Sequence, residues 1–177
     1  MSRIYIEENG KYKIDLRTAI WSQGDLNEVY KSIGNALNDV DFIAETDNEF
    51  ILIEYKSTEI ENAENPEAFN EKFKNGKFQE SIIKKYYGSV FYLLACGKKK
   101  PISFYAVIES RLMDDNITRK RAEASIKKSL PFDLQEKAEI SITLISEFKI
   151  LSISEWNERY PMFPLERCQQ EVNNEPN

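Results

Sequence analysis

Between Val40 and Lys56 the chain reads Val40-Asp41-Phe42-Ile43-Ala44-Glu45, then Thr46-Asp47-Asn48, then Glu49-Phe50-Ile51-Leu52-Ile53-Glu54-Tyr55-Lys56. Two apolar runs of strand length around a short polar turn predict a β-hairpin. Successive side chains of a strand point to opposite faces, so Phe50, Leu52, Glu54 and Lys56 share one face and Ile51, Ile53 and Tyr55 the other. Both faces are apolar, which places the second strand inside a sheet rather than on its surface. With Asp47-Asn48 as a two-residue turn, Thr46 pairs with Glu49. Counting back along both strands then sets Asp41 directly opposite Glu54, at a Cβ separation of about 5 Å.

Two carboxylates so placed repel each other and lose hydration, which is costly unless something cationic lies between them. A hard divalent cation such as Mg²⁺ suits the gap, because it takes oxygen ligands and needs only one or two carboxylates besides water and phosphate. Lys56 follows on the same face. Two acids, a lysine and room for a metal are what phosphodiester hydrolysis requires: the metal polarises the phosphoryl oxygen and activates water, and the ammonium stabilises developing charge. The plainer alternative is an ordinary hairpin whose Glu54 and Lys56 reach solvent from a strand end.

Asp41, twelve intervening residues and then Glu54-Tyr55-Lys56 at the end of a strand resemble the D…(D/E)xK signature of the PD-(D/E)XK nuclease superfamily, the restriction-endonuclease-like group. Val40 stands where the superfamily usually has proline. The resemblance implies that Asp41, Glu54 and the backbone carbonyl of Tyr55 hold Mg²⁺, with Mn²⁺ as a substitute, and that Lys56 orients the water. Gly24-Asp25-Leu26-Asn27-Glu28 is similar to the Gly-x-x-x-Glu of Holliday junction resolvases, making Glu28 a further acid of the site. At 100° per residue, however, Glu28 falls nearly opposite the apolar stripe of its helix and Asp25 lies at the border. Asp25 is therefore the substitute, and a solvated face the alternative. Gln79, on the helix after the E-x-K strand, resembles a glutamine that several exonuclease-like and resolvase-like members carry near the active site. Ile83 occupies the position of the tyrosine in the Gln-x-x-x-Tyr variant.

The chain has no histidine, which excludes Ser-His-Asp, HExxH and histidine-metal chemistry. Two cysteines, Cys96 and Cys168, fit neither a disulfide framework nor a zinc site. No apolar run approaches the ~18 residues of a membrane span, and the N-terminus lacks a signal pattern, so a soluble cytoplasmic protein is expected. Charge is unevenly spread. Residues 1–70 hold 6 basic and 15 acidic side chains, residues 71–130 hold 14 and 6, and residues 131–177 hold 4 and 9. A basic middle beside an acidic hairpin would attract a polyanion.

Ile4-Tyr5-Ile6 and Tyr12-Lys13-Ile14 flank Asn9-Gly10, a hairpin turn signal. Ser22 or Asp25 caps a helix running to about Asn38. Ser57 to Asn75 reads as a long loop or short helix, either a lid beside the site or a surface insertion. A helix over Lys77–Cys96 carries an apolar stripe through Phe78, Ile82, Tyr86 and Leu93, with Lys85 toward its margin, and Gly97 and Pro101 end it. Ile102–Ile108 is the next strand, parallel to the Glu54 strand through the helical crossover. Asp114-Asp115 caps a basic helix over Asn116–Ser129. Glu139–Ser146 alternates like a half-exposed strand, Phe148–Ile153 forms a second segment, and Ser154 caps a short helix containing Trp156.

The expected fold is a single α/β domain over residues 1–168. It has a mixed central sheet flanked by helices, an α-β-β-α-β core of restriction-endonuclease type over residues 20–110, an N-terminal hairpin and C-terminal additions. Residues 169–177 read as a disordered tail. The expected function is metal-dependent hydrolysis of DNA phosphodiesters, with RNA as an alternative substrate and a homodimer compatible with the pattern. The rival is an inactive nuclease-fold protein that binds nucleic acid or serves a structural role.

Overall fold

The structure, a computed structural model, describes residues 3–7, 9–32, 34, 37–58 and 68–168. In chain order these form β1 (Ile4–Ile6), β2 (Tyr12–Asp15), β3 (Trp21–Gln23), α1 (Leu26–Ser32), β4 (Phe42–Glu45), β5 (Phe50–Ser57) and α2 (Ala68–Lys74). There follow α3 (Lys77–Ala95), β6 (Ile102–Glu109), α4 (Arg111–Asp114), α5 (Asn116–Lys127), β7 (Glu147–Leu151), α6 (Ile153–Arg159) and β8 (Leu165–Arg167). The tail expected over residues 169–177 and residues 59–67 of the expected 57–75 loop lie outside the described residues.

A five-stranded mixed sheet, β3-β4-β5-β6-β7, organises the molecule. Its first three strands are antiparallel neighbours, while β5, β6 and β7 run parallel. Phe42 pairs with Ile53 and Glu45 with Phe50, the register that the Asp47-Asn48 turn demands. Thr46 closes the turn by donating its N–H to the Glu49 carbonyl at 2.9 Å. The parallel β5–β6 pair requires a crossover, and α3 supplies it.

Because β5 and β6 are interior strands, both of their faces are covered. Phe50, Leu52, Phe104, Ala106 and Ile108 pack under α1, α3 and α5, chiefly against Ile82, Tyr86 and Ile126. On the opposite face Ile51, Ile53, Tyr55, Tyr105 and Val107 meet Trp156 of α6, Tyr160 just after it, and Tyr12 and Ile14 of β2. The second layer includes a small antiparallel sheet, β1-β2-β8, into which the N-terminal hairpin folds. Glu109, at the end of β6, accepts from Tyr12 Oη at 2.8 Å and from Ser57 Oγ at 2.9 Å, which fastens this layer to the end of β5. Among the described residues no helix is long and apolar enough to cross a membrane.

Four expectations are corrected. Ser22 lies in β3, a strand too short and polar to show in the sequence. The first helix is limited to Leu26–Ser32, and Gly34 follows with a left-handed φ of 65° that no continuing helix allows. Residues 139–146 do not form a strand. Their backbone groups are satisfied otherwise: Ile145 exchanges two hydrogen bonds of 2.9 Å with the Gln135 side chain, and the Leu144 carbonyl accepts from Tyr86 Oη at 2.8 Å. The fifth strand is β7, and the last helix is capped by Ser152, whose capping box with Glu155 begins two residues before Ser154.

Candidate active site

Glu54 is the one buried charged side chain on the helix-facing side of β5. Asp41 lies one step beyond the β4–β5 ladder, and its Oδ2 accepts the Tyr55 N–H at 2.8 Å, which fixes the carboxylate beside the strand. From α3, Lys85 reaches down between them. Its Nζ donates to both oxygens of Glu54, at 2.7 and 2.8 Å, and stands 3.4 Å from Asp41 Oδ1. Side-chain exposure falls from 32% for Asp41 through 22% for Lys85 to 7% for Glu54, so the cluster opens on the Asp41 side.

Two carboxyls, Glu54 buried and Asp41 partly buried, share one ammonium, which lies closer to Glu54 than to Asp41. Burial accordingly pushes the Glu54 carboxyl up, the charge of Asp41 adds to the effect, and Lys85 offsets only part of it, leaving Glu54 at about 8. Asp41 is raised in the same sense by burial, against the pull of Lys85 and the Tyr55 N–H. Burial alone would lower Lys85, but the attraction of Glu54 and Asp41 outweighs it and holds the ammonium charged. Asp39, two residues before Asp41, is also raised by burial, and the charge of Lys85 bears on it.

These shifts set a pH dependence. Below the ordinary value of 4.5 the folded and unfolded chains both carry the Glu54 proton. Between 4.5 and about 8 the unfolded chain has released it while the folded chain retains it, so stability falls as pH rises through this window. The chain has no histidine, and hydrogen bonds and ion pairs that outweigh burial (Lys100 and Lys98 on Glu45, Tyr12 and Ser57 on Glu109, the Ser152 N–H and Arg119 on Glu155) hold these three carboxyls below their ordinary values. The slope from pH 5.5 to 7.5 therefore reports mainly on this cluster. Urea midpoints measured across that range are expected to fall, and Glu54→Gln is expected to make the fall shallower.

The approach of Asp41 is fixed by α3. Val40 donates its N–H to the buried Ser89 hydroxyl at 3.0 Å, and Tyr30 Oη donates to the Gly88 carbonyl at 2.7 Å. A Cβ on Gly88 would stand 1.8 Å from the Asn38 carbonyl oxygen, so only glycine lets residues 38–40 lie this close to the helix. Gly88→Ala is expected to destabilise the fold by about 1–3 kcal/mol, the usual cost of overpacking, with a matching drop in the urea midpoint.

Lys56 is exposed at the end of β5, on the Glu54 side, and its charge acts on both carboxyls to lower them. Tyr55 turns its ring to the opposite layer, against Tyr12. Gln79 lies six residues before Lys85 in the first turns of α3. Its Nε2 donates to the Phe73 carbonyl at 3.5 Å, and its Oε1 is buried without a partner among the described residues. Glu28 is exposed and pairs with Lys31 at 3.2 Å, and Asp25 is exposed with its carbonyl starting α1. Neither belongs to the cluster. Lys85 was not singled out by the sequence, although its place at the margin of the α3 stripe was the available signal.

The donor set fits a Mg²⁺-type ion in kind. Among the described residues no group of three or more His, Cys, Asp or Glu could hold a metal, but two carboxylates converging on one cation are enough for an ion that keeps most of its waters. A divalent cation would also bring one more positive charge to the two carboxyls than Lys85 does. Compared with known proteins, the chain matches no family model, no curated protein and no solved structure.

Proposed function

We propose that the chain is a Mg²⁺-dependent nuclease that hydrolyses DNA phosphodiesters on a restriction-endonuclease-like core. The observation that carries this reading is the convergence of the Asp41 and Glu54 carboxylates on a single cation, Lys85 Nζ, at the rim of the central sheet. The succession α1, β4, β5, α3, β6 follows the α-β-β-α-β order that the sequence resemblance implies. The resemblance and the geometry are separate supports: one is a spacing of letters, the other a meeting of side chains.

In the proposed reaction Asp41, Glu54 and the Tyr55 carbonyl hold the cation, with Mn²⁺ as a substitute. Bound there, it would polarise the scissile phosphoryl group and make water a better nucleophile. Lys56, solvent-facing at the strand end, orients that water and stabilises the charge developing on the phosphoryl oxygens. Asp41 keeps its alignment through the Tyr55 N–H, and Glu54 keeps its own through the packing of β5. Gln79, with an unpartnered Oε1, is assigned to substrate support. The backbone of the nucleic acid would lie along the basic middle of the chain, where Lys120 and Arg121 of α5 and Lys128 just after it are exposed.

A second reading also has an observation behind it. Lys85 already neutralises one of the two carboxylates, as it would in a nuclease fold that binds nucleic acid or serves a structural role without cleaving. Incubation with supercoiled, linear and single-stranded DNA, in Mg²⁺, Mn²⁺ or EDTA, separates the two. Metal-dependent cleavage supports the nuclease. A retarded complex that stays intact in every metal supports the binding protein.

A further inference from the structure

We propose that Lys85 is a built-in counter-ion that holds the place between Asp41 and Glu54 until a divalent cation displaces its ammonium, which then swings to the open rim. The inference rests on reading the two carboxylates as a metal site, and it adds a switch to that site.

Three features carry it. Lys85 Nζ engages both oxygens of Glu54, and Asp41 Oδ2 is committed to the Tyr55 N–H. A cation that binds Glu54 must therefore take over at least one oxygen that Lys85 now occupies. The lysine is able to leave: α3 is locked against residues 38–40 by Gly88 and Ser89, but the Lys85 side chain retains 22% exposure and a flexible four-carbon stem on the side where Asp41 opens. Charge gives the exchange its direction. A dication brings one more positive charge to Asp41 and Glu54 than the ammonium it replaces, and the exchange frees Lys85.

Such a device would keep two buried acids from repelling each other before metal arrives, and would couple cation binding to a new positive charge at the rim where a polyanion approaches. A purely structural salt bridge would do neither.

The test uses the whole chain. Mg²⁺ binding is measured by calorimetry for wild type and Lys85→Met. In parallel, the amines of the wild type are methylated with formaldehyde and borohydride, with and without saturating Mg²⁺, and Lys85 is followed by mass spectrometry. Lys85→Met is expected to bind Mg²⁺ about tenfold tighter or more, since its competitor is gone. In the wild type, Lys85 is expected to be protected without metal and modified several-fold faster with it. Equal or weaker binding by a folded Lys85→Met, or Lys85 labelling unmoved by Mg²⁺, overturns the inference. The labelling result stands alone should the variant fail to fold. Mg²⁺-dependent DNA cleavage with labelling unmoved would sink the switch and leave the metal site standing. Absence of any Mg²⁺ binding or cleavage would sink both.

Discussion

Truncation of Glu54 to alanine is expected to lower stability at pH 7 by about 1–3 kcal/mol, the usual consequence of leaving a buried hydrogen-bonding group, here the Lys85 ammonium, without its main acceptor. Lys85 would lose both of its short contacts and keep only Asp41, at 3.4 Å. That remaining partner places the loss toward the lower end of the range. The double variant Glu54→Leu with Lys85→Leu is expected to recover most of it, because a well-packed apolar pair replaces a buried ammonium and its polar partner, both of which had to be stripped of water. Urea unfolding of the single and double variants measures both effects. A loss below about 1 kcal/mol for Glu54→Ala would put the pair with ordinary surface ion pairs and remove the electrostatic argument for the site.

The second large effect falls on activity rather than on stability. Lys56→Met is expected to leave the unfolding midpoint almost unchanged, because Lys56 is exposed and methionine keeps most of the stem. In the proposed reaction the same change is expected to lower turnover by roughly 10²–10³, the scale of removing one donor that acts on transition-state charge. Adding Asp41→Ala should then cost little more, since groups that act as a unit are not additive. Single-turnover cleavage of a defined DNA, with Mg²⁺ affinity measured separately, checks this. Unchanged turnover in Lys56→Met would transfer the role of the charge to Lys85 or remove it altogether.

The central hairpin was legible because its information is local. The apolar alternation of β5 fixes the faces, and the Asp47-Asn48 turn fixes the register, so the approach of Asp41 to Glu54 followed from counting alone. The long α3 was legible for a similar reason, since nineteen residues of helical periodicity end at a glycine in the left-handed conformation. The readings that failed concern partners distant in sequence. β3 and β8 have three residues each and become strands only because β4 and β2 lie beside them. Residues 139–146 alternate as a strand would, but at Ile145 the Gln135 side chain takes both backbone hydrogen bonds in place of a ladder.

The candidate site divides along the same line. The two carboxylates come from one hairpin and announce each other, whereas Lys85 arrives from a helix 31 residues after Glu54. Its helical angle places it at the margin of an apolar stripe and leaves its destination open. Gly88 is similar: glycine in mid-helix is unfavourable by itself, and its reason is the Asn38 carbonyl of another element. Glu28 matched a motif in letters, while its position on α1 turns it to solvent beside Lys31.

The most direct measurement of the central claim is anomalous scattering from crystals of the protein grown with Mn²⁺. The account predicts one strong peak per chain at the carboxylates of Asp41 and Glu54, with the Lys85 ammonium moved out to the rim. No peak at these carboxylates under saturating Mn²⁺, with Lys85 still bonded to both oxygens of Glu54, would contradict it.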